Sequence, residues 1–171
     1  EDDLTLISVG RLVPYKGFDH LLRAMAVLRG ELPELALLLI GAGPDEARLL
    51  GLAAELGLQD RVKRLAGISD AQLYQCYALA DLAVMASSRE GFPLVTLEAM
   101  ACGLPVIGTN NNENTQVIRE GENGLLIPPG DPAALATAIR ALRDRPTRRR
   151  MGERAREKIG RASCRERVEV S

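Results

Sequence analysis

The chain has 171 residues, a net charge of −1 and 46% apolar residues, which is the length of one domain, or of one domain with a tail, and enough for a real core. The charge gives no basic field to attract nucleic acid, the apolar runs are far shorter than a membrane span, and no signal peptide is read. With two Phe, three Tyr and no Trp, the core must be built from Leu, Ala, Val and Ile.

Residues 4–9 read as a strand, and residues 18–29 as a helix from the spacing of Leu21, Leu22, Met25 and Leu28. Residues 35–40, L-A-L-L-L-I, form a continuous apolar run of the kind covered on both faces. A helix over 45–56 follows, with Asp45 as cap and Gly57 at its end. Residues 61–66 read as a short strand and 69–80 as a helix with Ser69 as N-cap. Residues 82–86 are a buried strand leading to a helix over 94–102. A strand over 104–108, a short helix over 115–120 and a strand over 124–127 come next. Asp131 caps a helix that Pro132 starts and that ends by Arg143. Pro146 breaks it, and 147–158 is a last helical piece. Strands alternating with helices imply right-handed βαβ units: an α/β, Rossmann-like open parallel sheet of about six strands with helices on both faces. Ligands of such sheets bind beyond the carboxyl ends of the strands. The segments at Gly10-Arg11, Gly41 to Pro44, Gly67, Glu90 to Pro93 and Thr109 to Glu113 all follow strands and should share that edge.

The stretch R-E-G-F-P-L-V-T-L-E-A-M, from Arg89 to Met100, joins a strand end to a helix start. Pro93 suits a first helical turn, and Gly91 lets the backbone turn tightly. Free amides and the helix dipole make an anion site there. Glu90 and Glu98 would repel a phosphate and are better suited to accept hydrogen bonds from neutral hydroxyls, as on a sugar or ribose. The stretch by itself therefore suggests a nucleotide-sugar. After the first strand, Gly10, Arg11 and Lys16 bring two cations to the same edge. Arg binds phosphate bidentately and Lys adds a point charge, at about 1.5–3 kcal/mol per charge-assisted bond. The bland reading of Arg11 and Lys16 is a solvated turn.

Gly41-Ala-Gly43-Pro44 invites a dinucleotide reading, but Glu46 stands where the third glycine of G-x-G-x-x-G belongs, and no Walker ending follows. The turn also reads simply as a tight strand-to-helix connection. Cys76, Cys102 and Cys164 are odd in number and lack metal spacing. Cys76 and Cys102 fall on helical patterns and read as small buried residues of a reducing cytoplasm. His20, the single histidine, supplies neither a triad nor a zinc site.

Glu90 to Glu98 resembles the E-x7-E motif of the GT-B glycosyltransferases of family 4, the group 1 glycosyltransferases. The resemblance runs from about Leu4 to about Arg150, and corresponds to the C-terminal half of such an enzyme. It implies a donor-binding domain over 1–150. Residues 151–171 would hold a helical end and a non-native tail, since 159–168 resembles a sequencing adapter translated in frame. By resemblance Arg11 and Lys16 bind the diphosphate and offset charge on the leaving group. Glu98 accepts from the ribose hydroxyls, and Glu90 faces the donor sugar. Gly41 and Gly43 lie beside the nucleotide, and Ala66, Gly67 and Ile68 offer backbone contacts to the base. Gly91, Phe92, Pro93, Leu94 and Val95 surround sugar or phosphate oxygens, although Pro93 has no amide to give. Asn112, Glu113 and Gln116 replace the two glycines and glutamate usual in the family. Asn tolerates a left-handed backbone, which would preserve that turn. The run from Gly121 to Asp131 matches the family's structural N-G-x-L-x-x-P-x-D ending.

The implied activity is transfer of a sugar from a UDP-, GDP- or ADP-sugar to an acceptor hydroxyl, with retention and without metal or cofactor. The partners would be the nucleotide-sugar donor, a sugar or lipid-linked acceptor and an N-terminal GT-B domain outside this chain. That domain could also bring peripheral membrane contact, in a cytoplasmic enzyme of polysaccharide synthesis. The rival readings are a non-catalytic nucleotide-sugar-binding module and a GT-B phosphorylase or epimerase relative. An NAD-dependent enzyme is disfavoured by the failed fingerprint.

Overall fold

The computed structural model describes residues 3–89 and 93–160. Its strands are β1 (Leu4–Val9), β2 (Leu35–Ile40), β3 (Val62–Leu65), β4 (Leu82–Met85), β5 (Val106–Thr109) and β6 (Gly124–Ile127). They form one six-stranded parallel sheet in the order β3-β2-β1-β4-β5-β6. The helices are α1 (Phe18–Leu28), α2 (Glu46–Glu55), α3 (Asp70–Leu79), α4 (Leu94–Ala101), α5 (Asn114–Val117), α6 (Pro132–Ala141) and α7 (Arg145–Ile159). No helix of the described residues is long and apolar enough to cross a membrane.

Side chains alternate across each strand, so one sheet buries two cores. Leu4, Leu6, Leu35, Leu37, Leu39, Leu82, Val84 and Ile107 face α1, α2 and α6. Ile7, Ile40, Ala83, Met85 and Val106 face α3 and α4, with Ala155 of α7 in the same cluster. This two-sided burial is why strands such as L-A-L-L-L-I are apolar throughout. Met151, Gly152 and Ala155 are buried, so α7 crosses residue 150 as part of the packed unit.

The order reverses between β1 and β4. β1 aligns with β2 over six residue pairs, Leu4↔Leu35 to Val9↔Ile40, but with β4 only at Leu6↔Leu82 and Ile7↔Ala83. Beyond those pairs the two strands part. Buried Ser8 bridges the gap, its hydroxyl donating to the Val84 carbonyl at 2.7 Å.

Several local expectations need correction. Asp45 precedes α2 but makes no side-chain cap. Both its oxygens instead accept from Arg48, each at 2.7 Å. The short helix is Asn114–Val117 rather than 115–120, because Ile118 is already extended. No described non-glycine residue has a positive φ, so the asparagines do not turn left-handed. Pro146 lies in the first turn of α7 rather than ending the helix before it. The break falls at 142–144, where Asp144 caps α7 by accepting from the Thr147 amide. Ser69, by contrast, caps α3 in a full capping box with Gln72.

Candidate functional site

The loops after β1, β2 and β3 meet in a cleft of about 250 Å³ at the carboxyl edge of the sheet. Gly10, Arg11, Gly41, Ala66, Gly67 and Ile68, all marked by the sequence, line it. The sequence missed Ser69, Asp70 and Leu73, the first turn of α3, which wall the same cleft. Their signal was the capping box, which places an α-helix N-terminus at the rim. Gly43 does not line the cleft; it lies behind, against the backbone of Leu12.

Backbone bonds fix the cleft floor. Gly10 N–H donates to Ile40 O at 3.0 Å, and Gly41 N–H to Leu65 O at 2.8 Å. Gly41 has φ 148°, and a Cβ there would come within 1.9 Å of the Gly10 carbonyl. The glycine turn is thus required by chain packing as well as by any ligand.

The segment after β1 forms a 3₁₀ turn, Pro14–Lys16, where the sequence showed only a loop. That turn folds Lys16 back, and its stem lies 3.6 Å from where a Gly10 Cβ would stand. Arg11 at the cleft and Lys16 over Gly10 therefore share one end of β1. Tyr15 anchors the loop to the end of β4: its carbonyl accepts from the Ser88 amide at 2.9 Å. Arg89 sits over the Tyr15 ring, 5.2 Å from its centroid, and Lys16 Nζ lies 5.8 Å from it.

Glu90, Gly91 and Phe92 lie outside the described residues. Pro93 is buried and is the N-cap of α4, which begins at Leu94 as read from the sequence. Leu94 and Val95 open the helix, so their amides have no partner within it. Glu98 stands one turn further on. Because helical Cα–Cβ bonds tilt toward the N-terminus, its side chain leans to that same end. Tyr77 of α3, which the sequence did not mark, donates its hydroxyl to Glu98 Oε2 at 3.4 Å.

The asparagine-rich loop after β5 is a support. Fully buried Asn114 donates to Thr109 O at 3.0 Å and accepts from Thr96 Oγ1 of α4 at 3.3 Å. Thr109 Oγ1 donates to Ser87 O, at the end of β4. Asn111 Oδ1 accepts from the Asn114 amide at 2.8 Å. Among the described residues, no group of three or more His, Cys, Asp or Glu side chains is placed to hold a metal ion.

A family model, glycosyl transferases group 1, matches residues 1–158. The chain is 38% identical over 160 residues to the N-acetyl-alpha-D-glucosaminyl L-malate synthase of Bacillus anthracis, covering 93% of this chain and 41% of that enzyme. The C-terminal domain of the group 1 glycosyl transferase LpcC of Francisella tularensis superposes with TM-score 0.84 at 26% identity, covering 91% of this chain and 84% of that one. Anabaena Alr3699/HepE, solved in complex with UDP and glucose, superposes with TM-score 0.84 at 27% identity, covering 98% of this chain and 47% of that one. The chain spans about two fifths of the length of the curated relatives it matches.

Proposed function

The chain belongs to the glycosyl transferases group 1 family, and we propose that it is the donor-binding domain of an enzyme that moves a sugar from a nucleoside diphosphate to an acceptor hydroxyl. The observation that carries this reading is the joining of Arg11, Gly41, Ala66, Gly67 and Ile68 in one cleft at the carboxyl edge of the sheet. A nucleoside fits such a place: glycine backbone allows close approach, apolar side chains cover the base, and a guanidinium stands at the rim.

In this reading the base lies against Ala66 to Ile68, and the ribose hydroxyls donate to Glu98. The diphosphate lies between Arg11, Lys16 and the amides of Leu94 and Val95. The bond between the sugar's anomeric carbon and the diphosphate breaks, and the carbon bonds to the acceptor oxygen on the same face. The acceptor proton passes to the oxygen of the departing diphosphate, which leaves with its charge offset by Arg11 and Lys16 rather than by a metal ion or cofactor. Glu90 faces the donor sugar. The acceptor, a sugar or a lipid-linked sugar, is held by a second domain outside this chain, and the whole enzyme works in the cytoplasm on polysaccharide synthesis. UDP is the first probe, because a related structure holds it.

Calorimetric titration with UDP, GDP and ADP tests the reading. One diphosphate should bind selectively, and Arg11→Ala should weaken it about tenfold or more, the scale of a lost hydrogen bond to a charged group. Folded protein that binds none of the three would refute it.

A further inference from the structure

Arg89 follows β4, beyond Ser87 and Ser88, and the transfer described above gives it no part. Its guanidinium lies over the Tyr15 ring, 5.2 Å from the centroid. Among the described residues no carboxylate pairs with it. Tyr15 is 41% exposed, so burial does not account for a large ring there. The backbone also fixes the two residues to each other. The Tyr15 carbonyl accepts from the Ser88 amide at 2.9 Å and from the Ser88 hydroxyl at 3.2 Å. The Ser87 hydroxyl donates to the Arg89 carbonyl, and Thr109 in turn holds the Ser87 carbonyl. A guanidinium has five N–H donors, and a place over a ring leaves several of them for an anion. A side chain already held by a ring loses less freedom when it binds.

The strand order tells which anion. It runs β3-β2-β1-β4. Ala66 to Ile68 follow β3, Gly41 follows β2, Arg11 follows β1 and Arg89 follows β4. A ligand with its base at the first two of these ends and its far end at α4 crosses Arg11 first and Arg89 second. Neighbouring strands are about 4.8 Å apart, a step that a long side chain spans. Lys16 Nζ lies 5.8 Å from the same ring, so positive charge gathers at this second position, away from the base.

We propose that Arg89 is a further donor-binding residue: held over Tyr15, its guanidinium binds the distal phosphate of the nucleoside diphosphate. The proposal rests on the reading of the cleft as a donor site. It adds a positive charge that stays on the leaving group as the sugar departs, supplied from the other half of the sheet. Tyr15 is a positioning residue that does not touch the ligand.

The test uses whichever of UDP, GDP and ADP binds most tightly, together with its monophosphate, titrated calorimetrically into the wild type and variants. The wild type should prefer the diphosphate by about tenfold or more. Arg89→Gln should weaken the diphosphate about tenfold and hold the monophosphate within about twofold of its wild-type affinity. Tyr15→Leu should weaken the diphosphate alone, by about threefold, and Tyr15→Phe, which keeps the ring, should restore it. Equal weakening of both nucleotides by Arg89→Gln would mean that Arg89 acts through the fold, and would overturn the proposal. So would an Arg89→Gln variant that binds the diphosphate as the wild type does; a loss in Arg11→Ala would then leave the donor-site reading standing without Arg89. Tyr15→Phe as weak as Tyr15→Leu would refute the role given to the ring. A wild type that binds no nucleotide, or binds both forms equally, would overturn the donor-site reading and this proposal with it.

Discussion

Gly17 is where the loop after β1 meets the end of β4. Its φ is 71°, and a Cβ there would stand 2.1 Å from the Ala86 carbonyl oxygen. Both strain and overlap oppose any side chain, so Gly17→Ala should cost about 2–3 kcal/mol in urea denaturation. Nucleotide affinity should fall as well, because Lys16 precedes it directly. Asp45 gives a pH-dependent prediction. The two hydrogen bonds from Arg48 hold its carboxyl below the usual range. The unfolded carboxyl titrates near pH 4, roughly the model-peptide value, so the pair's contribution is complete above that and drains away as pH falls through the lower folded value. Arg48 is half-exposed, which limits the pair to about 1 kcal/mol. Asp45→Asn should therefore melt earlier than the wild type at pH 7, with the difference narrowing as pH falls below about 4. A constant gap across that range would place the residue's contribution in something other than its charge.

Between elements, Asn114 ties the loop after β5 to α4. Asn114→Ala would leave the Thr96 hydroxyl without its buried acceptor and take one of two donors from the Thr109 carbonyl, which keeps the Asn111 amide, and should cost about 1–3 kcal/mol in chemical denaturation. Asn114→Asp, which keeps the acceptor for Thr96 but loses the donor to Thr109, should cost as much or more, because it also buries a charge. The sequence concealed this role, since an asparagine run reads as a polar turn and its hydrogen bonds join residues from three elements. The same limit applies at Tyr77, whose partner lies 21 residues away on another helix. The strands were legible to within a residue or two, β2 and β4 most plainly, because burial on both faces writes itself as an unbroken apolar run. The cleft residues were legible because each follows a strand, and a parallel sheet must bring those ends together. Asp45 was misread because Asp beside a helix start usually caps it; here Arg48, one turn on, competes for both oxygens and wins. The 3₁₀ turn at Pro14–Lys16 was missed because three residues carry no periodicity.

For the whole molecule, the strand order has an energetic consequence. β1 and β4 align directly at only two positions, the fewest of any neighbouring strands, with Ser8 bridging beyond them, so the seam between the two halves of the sheet has the fewest ladder pairs. A donor lying over Arg11 on one side and Leu94 to Glu98 on the other would span that seam. Binding should then stabilise both halves together, by about 2.7 kcal/mol at a hundredfold excess over the dissociation constant. Calorimetric melting should show one transition that moves up as a unit with UDP, and Arg11→Ala should abolish most of the shift. If UDP splits the transition in two, the ligand is binding one half alone and the seam is not part of the site. The second side of the reaction is a separate matter. The relatives are more than twice as long as this chain. Incubated with UDP-glucose and a sugar acceptor, the chain should bind donor yet form no transfer product by mass spectrometry. Product formation would mean that the acceptor is held by this half of the fold, and the two-domain division of labour would have to be abandoned.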